Sequence, residues 1–182
     1  SEMCIRDSHT ADEWIQTADG NIFVAVAGKL LPYSGIFMIM SGLANYFFFG
    51  IMDIPFSGDY MPLNLIAFLF VLSTQALAVF IYSLFPALSL VISGVSMVGS
   101  LGATLSGVTF PVPYMFPPVY YASFLFPIRH FVELGQTLLY GNYGYAYMWQ
   151  GLAVLLLFLL PALGILPHLK RAVLSHKYED IE

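Results

Sequence analysis

The sequence predicts an all-α integral membrane protein. It has four transmembrane helices, a Pro- and aromatic-rich re-entrant helical hairpin on the outer side, and a cytoplasmic amphipathic N-terminal helix. Three observations predict this. Of 182 residues, 59% are hydrophobic and 9% charged, against roughly 25% charged in soluble domains. The charges also collect at the ends: seven lie in residues 1–29 and six in residues 168–182, leaving Asp53, Asp59, Arg129 and Glu133 for the 138 residues between. Finally, windows 30–52, 60–128 and 134–169 hold stretches of the kind that cross about 30 Å of hydrocarbon with about 20 apolar residues. A water-facing surface of that extent would need many more charges. A soluble enzyme, a nucleic-acid binder and a disordered chain are excluded, and the formal charge of −5 describes no coherent acidic face.

From the start of the chain, Ser1-Glu2-Met3-Cys4-Ile5-Arg6-Asp7-Ser8 resembles a translated sequencing-adapter read, so residues 1–8 are expected to be a scar. They hold the only cysteine, Cys4, which removes disulfide and thiolate chemistry from consideration. Residues 9–29 predict a helix along the cytoplasmic membrane surface. Thr10 stands at a cap position, Glu13 three residues on completes a capping box, and Trp14 supplies an apolar contact.

Residues 30–167 form the transmembrane domain, with spans at about 31–51, 62–84, 86–107 and 147–166. Pro32 is expected in the first turn of the first span, where a missing N–H costs nothing. Pro62 opens the second, and Phe85-Pro86 marks a turn before the third. Pro161 is expected to kink the fourth. Residues 108–146 form no simple span. Pro111, Pro113, Pro117 and Pro118 forbid an unbroken helix, and Arg129 at mid-bilayer would cost about 2.5–3.5 kcal/mol. Tyr114, Phe116, Tyr120, Tyr121, Phe124 and Phe126 give this stretch the composition of a headgroup-level belt. A broken helical hairpin that dips in and returns fits, its backbone buried in protein or lining a wet cavity. Residues 168–182 read as a solvated cytoplasmic tail.

Four spans put both ends on one side. That side carries Lys29, Lys170, Arg171 and Lys177, whereas the other carries Arg129 alone, so the positive-inside rule places both ends in the cytoplasm.

Chemical motifs are few. There is no G-x-x-x-x-G-K-[ST] phosphate loop, no H-E-x-x-H and no paired Cys/His set. His130 and Glu133 share a helical face but are only two ligands, and Arg129 with Glu133 four residues on reads more simply as a surface ion pair. Ser89, Ser93, Ser96, Ser100, Ala103 and Gly107 recur at spacings of three and four, a small-residue stripe down one face. It suits either close helix packing or a hydroxyl-lined substrate path. Asn45 and Gln75 lie within spans and should bond across to neighbouring helices.

In order and spacing, four pieces resemble the C-terminal half of an ABC-2 type transporter permease over roughly residues 9–174. They are Gly28-Lys29-Leu30-Leu31-Pro32-Tyr33; Phe49-Gly50 with Pro55 and Gly58; Ser106-Gly107-Val108-Thr109-Phe110-Pro111; and Pro127-Ile128-Arg129-His130-Phe131-Val132-Glu133. The resemblance implies a subunit of an ATP-driven exporter in the bacterial cytoplasmic (inner) membrane. It would pair with a second permease half, as homo- or heterodimer, and with a separate ATP-binding subunit, which would hold the ATP and Mg. The chain itself would be no enzyme, bind no cofactor, metal or nucleic acid, and be a fragment lacking a first span, a large extracytoplasmic region and a second span. Thr10, Asp12, Glu13 and Trp14 become candidates for coupling to the ATPase, where relatives carry a Gly-Thr-x-Glu-like element and this chain has His9-Thr10-Ala11-Asp12-Glu13. Ser106, Gly107, Phe110, Pro111, Pro127, His130 and Glu133 become candidates for a re-entrant or outer gate. Ser93, Ser96, Ser100 and Gly107 remain candidates for packing or for the path. The rival classes are a non-transporting membrane scaffold and an intramembrane enzyme, the latter needing a second base or ligand that the sequence does not offer.

Overall fold

The computed structural model describes residues 21–54, 60–84, 88–109, 111–140 and 145–174, and all regular structure among them is helical. Helix α1 (Ile22–Asn45) begins at Asn21, whose side-chain oxygen accepts from the Phe23 N–H at 3.0 Å. This satisfies one of the first-turn donors that a helix leaves orphaned. The helix runs unbroken through Lys29, and Pro32 lies inside it. This corrects the expectation of a span starting near Leu31 with Pro32 in its first turn and a surface helix ending at residue 29. Nothing in 22–31 stops a helix. A proline removes one N–H and bends the rod, and in an apolar setting neighbouring groups can re-satisfy what it frees. The remainder of the expected surface helix, including Thr10, Asp12, Glu13 and Trp14, lies outside the described residues, as do residues 1–8.

A π-helical turn, Tyr46–Ile51, extends α1. The Met52 N–H reaches back to the Phe47 carbonyl at 3.0 Å, and Asp53, at φ 52°, turns the chain away. Helix α2 (Tyr60–Leu84) is the axis of the molecule, packing against α1, α3 (Leu88–Leu105), α5 (Pro127–Tyr140), α6 (Tyr145–Leu157) and α7 (Leu159–Leu174). The expected turn at Phe85-Pro86 falls outside the described residues. Between α3 and α5 come a single 3-10 turn, Val112–Tyr114, and the short helix α4 (Pro117–Ser123). Pro117, Pro118 and Pro127 all sit in first turns, where their missing N–H groups have no helical partner to lose. The last apolar stretch is broken at Phe158 between α6 and α7. Pro161 accounts for the break, since its ring clashes with the carbonyl four residues back and it has no N–H to give.

Three helices are long and apolar enough to cross a membrane: Ile22–Ile51, Tyr60–Leu84 and Met148–Pro167. The apolar helix Leu90–Leu105 is shorter. Side-chain pairs fix their relative directions. Ser34 bonds Gln75 at 3.0 Å and Asn45 meets Asn64 at 3.4 Å, so α1 runs antiparallel to α2. Each pair lies eleven residues from the other on both helices, which is close to three turns and returns both polar groups to the same face. Asn45 and Gln75 thus bond across helices as expected. The Ser73 hydroxyl lies 2.8 Å from the Leu155 carbonyl and Val79 packs by Leu166, so α6 and α7 run parallel to α2. Ile22 and Leu166 share one cluster, which puts the described starts and ends of the chain at the same end of the bundle.

The larger core cluster joins Ile66 of α2, Leu134 of α5, and Met148 and Leu155 of α6. Phe70 stacks on Phe131 beside it, centroids 4.5 Å apart, a contact worth about 0.5–1.5 kcal/mol beyond its buried area. That stack places the start of α5 ten residues along α2 from Tyr60, about 15 Å by helical rise.

Candidate functional site

The site is built where α4 passes into α5. Residues 124–126 join the two helices, and the connection closes much of its own backbone hydrogen bonding. The N–H groups of Phe124, Leu125, Phe126 and Arg129 each bond the carbonyl three residues back, at 3.1–3.3 Å. Such closure is what backbone in an apolar environment requires. Gly102 of α3 makes room for the connection, since a Cβ there would lie 3.1 Å from the Phe126 ring and 3.2 Å from Ile128.

Arg129 and His130, in the first turn of α5, are both buried. The Arg129 guanidinium carbon lies 5.4 Å from the centre of the Tyr120 ring and 5.2 Å from that of Phe124. Its Nε is 3.9 Å from a Glu133 carboxylate oxygen, too far for a hydrogen bond, and the side chains are 5% and 50% exposed. The ion pair expected from the spacing is present, but it is not a surface pair, since its cationic half is buried beside Tyr120 and Phe124. Both Nε and Nη1 are buried without a hydrogen-bond partner. Each cation–π contact is worth about 0.5–2 kcal/mol, whereas each unpaired buried donor costs about 1–3 kcal/mol. The rings alone do not compensate the guanidinium, and the site is short of acceptors.

His130 is better satisfied. Its Nε2 stands 3.1 Å from the Phe124 carbonyl, so that nitrogen carries the proton, because a carbonyl can only accept. The ring also lies 5.8 Å from Phe124 and 6.1 Å from Phe158, linking the start of α5 to the break between α6 and α7. His130 and Glu133 gain no third ligand: among the described residues no group of three or more His, Cys, Asp or Glu is assembled.

The other residues singled out in the sequence fall into two places. Ser106 and Gly107 close the far end of α3. The buried Ser106 hydroxyl donates to Ala103 and accepts from the Val108 N–H, and Gly107 takes φ +94° where a Cβ would come within 2.8 Å of Val112. Pro111 starts the next turn by accepting from Tyr114, and Phe110 lies outside the described residues. Pro127 opens α5. Ser93, Ser96 and Ser100, by contrast, are exposed, and no helix of the described chain covers them. Among the described residues nothing packs closely on these three serines. Three polar residues escaped the sequence reading: Ser34, Asn64 and Ser73. The first two were legible as residues that an antiparallel register sets opposite Gln75 and Asn45. Ser73 had no such signal.

The profile of a family described as ABC-2 family transporter protein matches residues 6–166. The chain belongs to the ABC-2 transporter family. No curated protein and no solved structure matches it. This ABC-2 chain is accordingly a multi-pass membrane component of a transporter, with a permease role, and not an enzyme in its own right.

Proposed function

We propose that the chain is a permease subunit of an ATP-driven exporter, working with a second permease half and a separate ATP-binding subunit. The family match carries this reading, and features of the chain support its details. The membrane domain crosses four times, by α1, α2, α3 and the α6–α7 pair. The α4–α5 hairpin enters from the outer side without crossing, and its foot lies about 15 Å below the Tyr60 end. Both ends face the cytoplasm of a bacterial inner membrane, in keeping with their shared end of the bundle and the bias of Lys29, Lys170, Arg171 and Lys177.

The residues before α1, with Thr10, Asp12, Glu13 and Trp14, meet the ATP-binding subunit. Because α1 is one helix from Ile22 through Lys29, a push at its cytoplasmic end travels along a rod as far as Pro32. There Ser34 and Gln75 tie it to α2, Gln75 also lying 3.5 Å from the Leu30 carbonyl. The deciding experiment uses the complete permease with its ATPase in vesicles. Glu13→Ala with Trp14→Ala should leave membrane insertion intact and abolish substrate-stimulated ATP hydrolysis. Unchanged stimulation and transport would reduce this segment to a surface anchor.

A further inference from the structure

We propose that Arg129 and Glu133, at the foot of the α4–α5 hairpin, bind a zwitterionic group: a phosphate or carboxylate beside a primary ammonium. The proposal rests on the reading that the hairpin dips below the outer membrane surface. Two independent observations converge on it. The guanidinium is almost wholly buried, yet its Nε and Nη1 have no acceptor, and buried donors of that kind call for one. The Glu133 carboxylate is paired only loosely, with Arg129 Nε at 3.9 Å. It is half exposed between Phe131 and Leu134, which pack on Phe70 and Ile66, well along α2 from its Tyr60 end. Acidic groups at such depth face a partner or a wet cavity rather than lipid tails.

Charge selects the ligand class. A plain anion drawn to Arg129 would meet the Glu133 carboxylate, whose oxygen is only 3.9 Å from Nε, and the repulsion would oppose it. A plain cation drawn to Glu133 would leave the guanidinium donors bare and meet a like charge. A zwitterion answers both: its anionic oxygen accepts from the guanidinium and its ammonium donates to Glu133. The Tyr120 and Phe124 rings cover the guanidinium from α4, so the approach is past Glu133. A primary ammonium suits that place better than a quaternary one, having N–H groups to donate. Such a group could come from the headgroup of a phosphatidylethanolamine or from a free zwitterion in transit.

The test uses the full chain purified in detergent and stripped of lipid, titrated with phosphatidylethanolamine, phosphatidylglycerol and soluble phosphoethanolamine. Bound ligand is counted by native mass spectrometry, and the thermal midpoint is followed by intrinsic fluorescence. Phosphatidylethanolamine should bind at least about fivefold tighter than phosphatidylglycerol. Glu133→Gln should abolish that preference, and Arg129→Gln should weaken both lipids. Phosphoethanolamine binding with the same sensitivity to the two variants assigns the site to a free zwitterion, and its failure beside lipid binding assigns it to a headgroup. Equal binding of the two lipids by the unaltered chain, or an unchanged preference in Glu133→Gln, overturns the proposal even if Arg129→Gln fails to fold. A separate arm isolates the hairpin reading. In a Cys4→Ser background on sealed cells, Tyr114→Cys should react with an impermeant thiol reagent and Leu125→Cys should not. Equal labelling of both removes the foot's depth in the membrane, and the zwitterion site with it. Protection of Leu125→Cys together with equal lipid binding defeats the zwitterion proposal alone.

Discussion

At the scale of single residues, the tightest constraint is a glycine. A Cβ on Gly151 of α6 would fall 2.7 to 3.1 Å from three side-chain carbons of Leu134, a core residue of α5. Leu134 is hemmed in by Ile66, Met148 and Leu155 and cannot simply swing away. Overpacking of this sort costs about 1–3 kcal/mol, which exceeds the roughly 1 kcal/mol that alanine gains over glycine in a helix. Gly151→Ala should therefore lower the thermal midpoint in detergent. Gly164→Ala, where a Cβ meets nothing within 4 Å, should leave it unchanged or raise it. Equal behaviour of the two variants would contradict the α5–α6 contact. The same scale shows why the site was only half legible. Arg129 and Glu133 stood out as rare charges four residues apart, and that spacing correctly predicts proximity. Arg129 is buried beside Tyr120 and Phe124, whose positions depend on the path of residues 124–126, and no periodicity reports that.

Among the elements, α3 carries the stripe on an exposed face. Ser93, Ser96 and Ser100 are exposed, so leucine at Ser96 and Ser100 should fit without disturbing the chain's own packing. Helices in a membrane gain nothing hydrophobic by meeting. Close approach over small residues and interhelical hydrogen bonds of about 0.6–2 kcal/mol supply the attraction instead. If the second permease half covers this face, Ser96→Leu with Ser100→Leu should leave the monomer's thermal midpoint unaltered and weaken its assembly, read by crosslinking in the membrane. Normal assembly with blocked export would instead assign the stripe to the path. Helices with strong local signals were readable in advance: the apolar runs of α2 and α6–α7, an irregularity at Pro161, and the interruption that the prolines of 111–118 impose. The start of α1 was misplaced because Pro32 and Lys29 look like punctuation, while the signal that ends the helix backwards is the quieter Asn21 cap.

For the whole molecule, the proposed four-crossing arrangement makes a directional claim. In the Cys4→Ser background, Asp59→Cys should react with an impermeant thiol reagent on intact cells, whereas Ser175→Cys should react only after lysis. The reverse pattern would invert the protein, and reaction of both would require an odd number of crossings.

The helices of this bundle are also unequal rulers. The continuous rod Ile22–Ile51 has 30 residues and α2 has 25, about 45 and 37 Å of helix, whereas α3 has 18 residues, about 27 Å. Hydrocarbon is about 30 Å thick. Long rods accommodate a thinner bilayer by tilting, but a short one cannot lengthen to meet a thicker one, and mismatch costs fractions of a kcal/mol per Å. Across vesicles of increasing acyl length, the thermal midpoint should therefore fall more steeply on the thick side of its optimum than on the thin side. If α3 crosses as proposed, bilayer thickness acts on this protein chiefly through that short helix, the one that bears the serines.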